Sequence, residues 1–216
     1  MENIVDLSYI IPPVDKALIK EELKKADFLK KTNSAGREIY VTNAHRTPAI
    51  MREIGRLREI SFATSGGGSG TECDIDQYDE APEPHCYQQL FVWDPTDEEI
   101  VGGYRYIIGK DIYRQSDGSL FSATADLFEF SDSFLERYLD NTIELGRSFV
   151  RPDYQPTVNL RKGLYSLDNK IANALPIPSV APVMIIVFFI CITPLNENVM
   201  ILWGFCLTII QKPQNL

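Results

Sequence analysis

Two strand-like runs joined by a short polar turn constrain the fold of this chain more than any other feature. Residues 87–93 are apolar and aromatic, residues 94–99 form the polar turn, and residues 100–108 form the second run. This order is typical of a β-hairpin. Gly102 and Gly103 lie inside the second run, where glycine indicates a bulge or a close backbone approach. The centre of the chain therefore predicts an antiparallel sheet.

Helices are predicted before this hairpin. Residues 14–31 carry apolar side chains among many lysines, which predicts an amphipathic helix. Residues 47–63 are a stronger candidate, because Thr47 can cap the helix and Pro48 suits its first turn. The glycine-rich residues 66–70 then predict a flexible loop.

After the hairpin the pattern alternates again. Ser133 and Glu136 fit a capping box that begins a short helix. Residues 142–150 predict another strand, and residues 161–169 fit the start of a helix. The whole order predicts an α/β protein with a mostly antiparallel sheet flanked by helices.

The composition changes abruptly near residue 170. Two apolar runs, 180–195 and 199–210, dominate the rest of the chain. Each is shorter than the about 20 residues of a membrane-spanning helix, so buried strands, a re-entrant hairpin and an interfacial segment stay open. We expect a domain over residues 1–169, incomplete at its C-terminal side, and an atypical apolar tail over 170–216. Only three charged residues remain in the tail: Lys170, Glu197 and Lys212.

Charge and cysteine usage exclude several classes of protein. A net charge of −9 argues against nucleic-acid binding, which normally needs a basic face. The four cysteines have no CxxC spacing and only two histidines accompany them, so we expect no metal site. The first residues lack a basic segment followed by a long apolar run, so we expect no secretory signal and a cytoplasmic protein.

Several polar residues stand where charge is unusual. Arg105 interrupts an apolar strand, and burying it alone would cost several kcal/mol. Glu144 and Arg147 are three residues apart, so they face opposite sides of a regular strand unless a bulge, which Gly146 permits, intervenes. A purely structural ion-pair network also fits these charges. The other members of this set are Arg58 and Phe62 on the second helix and Glu72, Asp76 and Asp79 after the glycine loop.

This pattern resembles two related families over roughly residues 45–169. Arg58 and Phe62 form Arg-x-x-x-Phe, Asp76 and Asp79 form Asp-x-x-Asp, and Arg105 follows on the strand after Val-Gly-Gly-Tyr. The string E-L-G-R-S-F-V-R-P-D-Y begins at Glu144. One family is the ornithine- or glycine-lipid N-acyltransferases, often called hemolysin-like acyltransferases, which this string favours. The other is the acyl-homoserine lactone synthases. Both are similar to the GNAT acetyltransferase fold.

The resemblance implies transfer of a (3-hydroxy)fatty acyl group from acyl carrier protein to the amine of glycine or ornithine, in amino-acid lipid synthesis. It implies no bound cofactor, since the donor is acyl-phosphopantetheine on the carrier. An apolar tunnel for the acyl chain would have Phe62, Phe91, Trp93, Tyr104 and Tyr106 as walls, although each also fits ordinary core packing. The implied roles are catalytic for Glu144, Arg147, Asp76 and Asp79, substrate-binding for Arg58, Phe62, Glu72 and Arg105, and carrier-docking for Arg151, Arg161 and Lys162.

Two departures qualify what the resemblance implies. The Q/R-x-x-G-x-G/A loop that binds the pyrophosphate of CoA is absent after Arg151, which favours a carrier-protein donor. Residues 170–216 do not resemble the family's continuation and read as a shifted reading frame or a membrane-seeking tail. An acyl-homoserine lactone synthase and an inactive, membrane-associated truncated relative therefore stay as alternatives. In each case we expect a cytoplasmic location, with association at the inner-membrane surface as a further option.

Overall fold

A seven-stranded sheet forms the centre of the computed structural model, which describes residues 5–32, 36–154, 184–192 and 201–206, the last two ranges as backbone only. The strands follow one another across the sheet in chain order. The strands are β1 (Asp27–Lys31), β2 (Glu38–Thr42), β3 (Gln88–Asp94), β4 (Glu99–Ile108), β5 (Thr142–Val150), β6 (Met184–Ile192) and β7 (Ile201–Cys206). The helices are α1 (Lys16–Leu23), α2 (Pro48–Thr64) and α3 (Asp132–Arg137).

Most neighbouring strands run antiparallel. The first five strands pair antiparallel throughout, as do β6 and β7. The exception is β6, which pairs parallel to β5 over Thr142 to Leu145. The predicted α/β class with a mostly antiparallel sheet is confirmed, and the predicted hairpin is β3 and β4.

The N-terminal helix prediction over residues 14–31 is wrong in its second half. Asp15 caps α1 by accepting a hydrogen bond from the Ala17 amide, but the helix ends at Leu23 and the chain turns into β1. In β1, Phe28 pairs with Tyr40 of β2, a strand that the sequence pattern did not reveal. Pairing with the next strand therefore outweighs the local helical preference of this lysine-rich stretch.

Helix caps also differ from the sequence prediction. α2 begins at Pro48 as expected, but the Thr47 side chain makes no cap hydrogen bond. Its hydroxyl instead pairs with the Thr42 hydroxyl at 2.8 Å in the core. In α3 the cap is Ser131, which accepts from the Phe134 amide, and not Ser133.

The structure describes only part of the tail, so it tests only some of the predictions made for it. The helix expected at residues 161–169 lies outside the described residues. Each of the two apolar runs contains a strand, β6 and β7. Among the described residues no helix is long and apolar enough to cross a membrane.

Two apolar clusters sandwich the sheet. One lies between α2 and the sheet face that carries Phe91 and Trp93. The other covers the opposite face, where Leu90, Val92 and Tyr104 pack. The alternation along β3 explains this division, since successive side chains point to opposite faces. The face toward α2 is the one that carries the candidate site.

Candidate active site

A bulge in β5 sets the geometry of the site. Gly103 pairs with Phe149 and Arg105 pairs with Gly146, so two residues of β5 lie opposite Tyr104 alone. Arg147 takes a positive φ of 53° at this point. The extra residue reverses the alternation beyond Gly146. The bulge that the sequence required for Glu144 and Arg147 to share a face is therefore present, although the unusual φ belongs to Arg147 itself.

A row of polar residues crosses the sheet beside this bulge. Gln89 of β3 pairs with Arg105 of β4, which pairs with Gly146 of β5. These positions share the face toward α2, where Arg58 lies one helical turn from Phe62. Loop residues Asp74, Asp76 and Asp79 supply the opposing charges, as described next.

Arg58 and Asp79 form the buried base of the cluster. Arg58 is fully buried and donates to Asp79 Oδ2 at 3.1 Å and to Gln89 Oε1. Gln89 in turn donates to Asp79 Oδ1 at 2.8 Å. The three groups therefore hydrogen-bond to one another out of contact with water. Burial is the largest influence on Arg58 and lowers its pKa.

Arg105 links this base to the outer part of the cluster. Its Nη1 donates to Asp76 Oδ1 at 2.7 Å and to Asp79 Oδ2 at 3.0 Å. Its guanidinium also lies 4.7 Å from the ring centre of Tyr87, in cation–π contact. Although burial opposes the charge, the attraction of these carboxylates raises the pKa of Arg105 overall.

Arg147 stands at the open end. Its side chain is 32% exposed, whereas that of Arg105 is 3% exposed, so solvent reaches only the outer guanidinium. Arg147 Nη2 lies 3.3 Å from Asp74 Oδ1 and 3.5 Å from Asp76 Oδ2. Three arginines and three aspartates thus form one connected cluster.

The two outer carboxylates differ in their acidity. Burial is the largest influence on both. It raises the pKa of Asp74 despite the nearby arginines. For Asp76 the hydrogen bond and charge of Arg105, together with Arg147, outweigh burial and lower the pKa. The cluster therefore holds one strongly stabilised carboxylate and one that resists ionisation.

Glu144 lies beside the cluster and makes its own contacts. Its Oε1 accepts a hydrogen bond of 2.7 Å from the Tyr87 hydroxyl and one of 3.1 Å from the Thr124 amide. The Ala123 amide donates to the same Tyr87 hydroxyl at 3.1 Å. Tyr87 thus joins Glu144, the loop after β4 and Arg105. Burial, followed by the charge of Glu144, raises the pKa of Tyr87.

Five buried polar atoms at the site have no hydrogen-bond partner among the described residues. Such groups are rare in folded proteins and mark strain or a site for a ligand. Three of them are arginine N–H groups that could donate to an acceptor. The atoms are Arg58 Nε, Asp74 Oδ2, Arg105 Nε, Thr124 Oγ1 and Arg147 Nε.

Some predicted site residues lie elsewhere. Glu72 is exposed and contributes only its backbone carbonyl, which accepts from the Ile11 amide. Phe62 packs in the apolar cluster under α2. Tyr104 and Tyr106 lie on the opposite sheet face from Phe62, so the predicted aromatic walls cannot enclose one tunnel.

The predicted carrier-docking residues are not available as a free basic patch in the described part of the chain. Arg151 pairs with Glu99 and with Asp153, the latter at 2.9 Å, and packs on the Tyr154 ring. Arg161 and Lys162 lie outside the described residues.

Four residues of the site escaped the sequence prediction: Asp74, Tyr87, Gln89 and Thr124. Gln89 pairs with Arg105, and Tyr87 lies two residues before it, just ahead of β3, so register between the strands would have found both. Asp74 belongs to the acidic run Glu72–Asp79, and the sequence alone does not say which of its carboxylates turn inward. Only the structure shows that it is 4% exposed.

The glycine loop before the cluster is anchored rather than free at its end. Glu59, buried on α2, accepts from the Ser69 amide at 2.9 Å, the Gly70 amide at 2.9 Å and the Tyr9 hydroxyl at 2.7 Å. Although burial opposes ionisation, these bonds lower the pKa of Glu59. Residues 66–70 were predicted to be flexible, yet this contact ties the loop to α2.

This arrangement suits chemistry on a small charged substrate. A carboxylate, Glu144, can accept a proton, and the adjacent arginines can hold an anion. A strand bulge disrupts the hydrogen-bond ladder, which provides backbone N–H groups for a developing oxyanion. Among the described residues no group of three or more metal-ligating side chains is assembled.

Comparisons with known proteins find one matching family and two similar relatives. Residues 57–162 match the model of the acetyltransferase (GNAT) domain family. A glycine N(alpha)-acyltransferase from Bacteroides thetaiotaomicron is 50% identical over 160 residues, which are 74% of this chain and 47% of that protein. A protein of the same name from Phocaeicola vulgatus is 49% identical over 160 residues, covering 74% of this chain and 48% of that protein. The chain therefore spans about half the length of the curated relatives it matches.

Proposed function

We propose that this chain, whose residues 57–162 match the GNAT domain family and whose sheet is mostly antiparallel, contributes an N-acyltransferase activity toward glycine. The observation that carries this proposal is the placement of Glu144 and Arg147 on one face by the bulge in β5. The names of two relatives with about half of their aligned residues identical support glycine as the acceptor.

The proposed reaction forms an amide from a thioester. The neutral amine of glycine attacks the thioester carbonyl carbon, the C–N bond forms and the C–S bond breaks. The amine loses a proton and the departing thiolate takes one up, so charge balances. An ammonium has no lone pair, so a base is required. Glu144 is our candidate, with Oε2 accepting the proton because Tyr87 and Thr124 both occupy Oε1.

Oxyanion stabilisation is assigned to the bulge. Backbone N–H groups released from a strand ladder are suited to a negatively charged tetrahedral intermediate. The positive φ of Arg147 reorients the backbone at this point of β5. Arg147 also brings positive charge to the same location, with its guanidinium partly exposed.

The finer assignments extend the same proposal. We infer that the donor is a (3-hydroxy)fatty acyl group on acyl carrier protein and that the product enters amino-acid lipid synthesis. The missing pyrophosphate-binding loop after Arg151 supports a carrier over CoA. The pairing of Arg151 with Glu99 and Asp153 leaves it less suited to carrier docking than the sequence suggested. Glycine is preferred to ornithine because of the names of the relatives.

The test is direct product detection. Purified protein is incubated with 3-hydroxyacyl carrier protein, or the matching acyl-CoA, and with glycine or ornithine. Mass spectrometry then measures the N-acylated amino acid. A full-length relative named as a glycine N-acyltransferase serves as the positive control. N-acylglycine that disappears in Glu144→Gln supports the proposal, whereas a folded but inactive protein beside an active control contradicts it.

A lactone synthase is the remaining enzymatic alternative. The cluster of Arg58, Asp76, Asp79 and Arg105 fits either family, because both carry these elements. Repeating the assay with S-adenosylmethionine in place of glycine distinguishes the two activities. Formation of an acyl-homoserine lactone would support the synthase and overturn the glycine proposal.

A further inference from the structure

Gly146 lies between Glu144 and Arg147, on the face of β5 that carries the site. A Cβ built at this position would meet one atom within 4 Å among the described residues beyond its chain neighbours, Arg105 Nε at 3.8 Å. The glycines of β4 differ sharply. A Cβ at Gly102 would lie 2.5 Å from Phe149 O, and one at Gly103 would come even closer to Leu90 O. At Gly102 and Gly103 the neighbouring strands pack too closely for a side chain. At Gly146 the missing side chain leaves open space on the face that carries the site.

An unpartnered donor borders this space. Arg105 is 3% exposed, and its Nη1 is engaged by Asp76 and Asp79, but its Nε has no partner among the described residues. The neighbouring Arg147 has an unpartnered Nε as well. A buried donor without a partner destabilises the folded protein, so an acceptor oxygen at this point would be favoured.

We propose that the space over Gly146 is the subsite for the acceptor amino acid, whose carboxylate accepts from Arg105 Nε and whose amine faces Glu144. This deepens the proposed function and rests on it. It assigns Gly146 and Arg105 to substrate recognition and adds Arg147 Nε as a second donor.

The charge balance of the cluster fits a zwitterion. Arg58, Arg105 and Arg147 lie against Asp74, Asp76 and Asp79, so positive and negative groups are matched three to three in the described cluster. An amino acid brings one negative and one positive group and preserves this balance. An amine without a carboxylate would bring positive charge and leave the Nε donors unmet.

Steric fit makes Gly146 a specificity-determining position. A hydrogen bond from Arg105 Nε places the acceptor oxygen about 2.9 Å from that nitrogen. A methyl group on residue 146, in contact with the same nitrogen, would crowd this oxygen. The absent side chain of residue 146 therefore makes room for the ligand.

Gly146→Ala is the decisive variant because the fold tolerates it. Gly146 is not among the residues with positive φ, and its nearest neighbour would be in ordinary van der Waals contact. Alanine also suits a strand better than glycine. We expect a melting temperature at least equal to that of the wild type. Leu145→Met, which alters the apolar cluster on the opposite face at nearly constant volume, is the matched control.

Two readouts separate the subsite from the reaction. Glycine binding is measured by calorimetry on wild type, Gly146→Ala and Leu145→Met, and kcat/KM for N-acylglycine formation is measured on the same proteins. We expect Gly146→Ala alone to weaken both by at least about tenfold, and glycinamide, which lacks the carboxylate, to bind wild type at least about tenfold more weakly than glycine.

The outcomes are distinct. Weaker glycine binding in Gly146→Ala, with no turnover by wild type, would support the subsite and overturn the acyltransferase proposal. Equal glycine binding by wild type and Gly146→Ala, or equal binding of glycine and glycinamide, would overturn the subsite whatever the turnover. A wild-type protein that neither binds nor acylates glycine would overturn both.

Discussion

The Tyr87 hydroxyl donates a 2.7 Å hydrogen bond to Glu144 Oε1 while its ring lies 4.7 Å from the Arg105 guanidinium. Tyr87 is fully buried and its hydroxyl also accepts from the Ala123 amide. One side chain thus fixes the proposed base and supports the arginine that borders the proposed acceptor subsite. Because the pKa of Tyr87 is raised, the hydroxyl stays a neutral donor throughout the neutral range.

Tyr87→Phe should lower kcat about 10- to 100-fold and change KM little, since Glu144 loses its orientation but the arginines remain. Steady-state kinetics with glycine and an acyl thioester measure this. Tyr78→Phe is the control, because the Tyr78 hydroxyl donates to Asp126 and not to Glu144. Equal losses in the two variants, or a loss confined to KM, would contradict a positioning role for Tyr87.

The strained backbone of Arg147 predicts a separation of stability from activity. Its φ of 53° is costly for a residue with a Cβ and free for glycine. Arg147→Gly should therefore be more stable than Arg147→Ala by about 1 kcal/mol in urea unfolding. Both variants should lose acyl transfer, because both lack the guanidinium. If alanine proved the more stable, the bulge would not adopt this conformation.

The sequence anticipated those parts of the fold that depend on local patterns. The helix expected at residues 47–63 is Pro48–Thr64, and the strand expected at 142–150 is Thr142–Val150. Apolar periodicity and turn residues decide such elements within a short window. The helix over 14–31 failed because β1 is stabilised by pairing with β2, and the pattern within residues 14–31 carries no record of that partner strand.

The sequence identified most of the charged residues of the site but not which of them contact one another. Arg58, Asp79 and Arg105 do meet, as their common occurrence in one motif set suggested. Glu72 and Asp74 belong to one acidic run, yet Glu72 is exposed and Asp74 is buried against Arg147. The path of an irregular loop decides which carboxylate turns inward, and composition carries no record of that path.

The two outer aspartates should respond oppositely to neutralisation. The pKa of Asp74 is raised by burial, so its ionised form is penalised in the folded protein, and Asp74→Asn should increase the free energy of unfolding at pH 7. The pKa of Asp76 is lowered, because Arg105 and Arg147 outweigh burial. Asp76→Asn should therefore decrease the free energy of unfolding, by roughly 1–3 kcal/mol.

The pH dependence of these two variants supplies the check. The advantage of Asp74→Asn should vanish as pH falls below about 4, where the carboxyl is protonated in both folded and unfolded chains. The deficit of Asp76→Asn should shrink as pH falls through the lowered pKa of Asp76. Urea unfolding from pH 7 to pH 3 measures both. Effects of the same sign at pH 7 would refute the electrostatic account of the cluster.

Glu59 should control the order of the glycine loop that leads into the cluster. Its carboxylate accepts hydrogen bonds from the Ser69 and Gly70 amides and the Tyr9 hydroxyl. A glutamine side chain has only one oxygen to accept them. Glu59→Gln should lower the free energy of unfolding by roughly 1–3 kcal/mol and speed proteolysis within residues 66–70. Glu72→Gln, an exposed carboxylate at the end of the same loop, is the control.

Since the pKa of Glu59 is lowered, the stability it contributes is present above about pH 4.3 and is lost as pH falls. The difference between wild type and Glu59→Gln should therefore disappear in acid, and a difference that persisted unchanged at low pH would mean that the carboxylate does not anchor the loop.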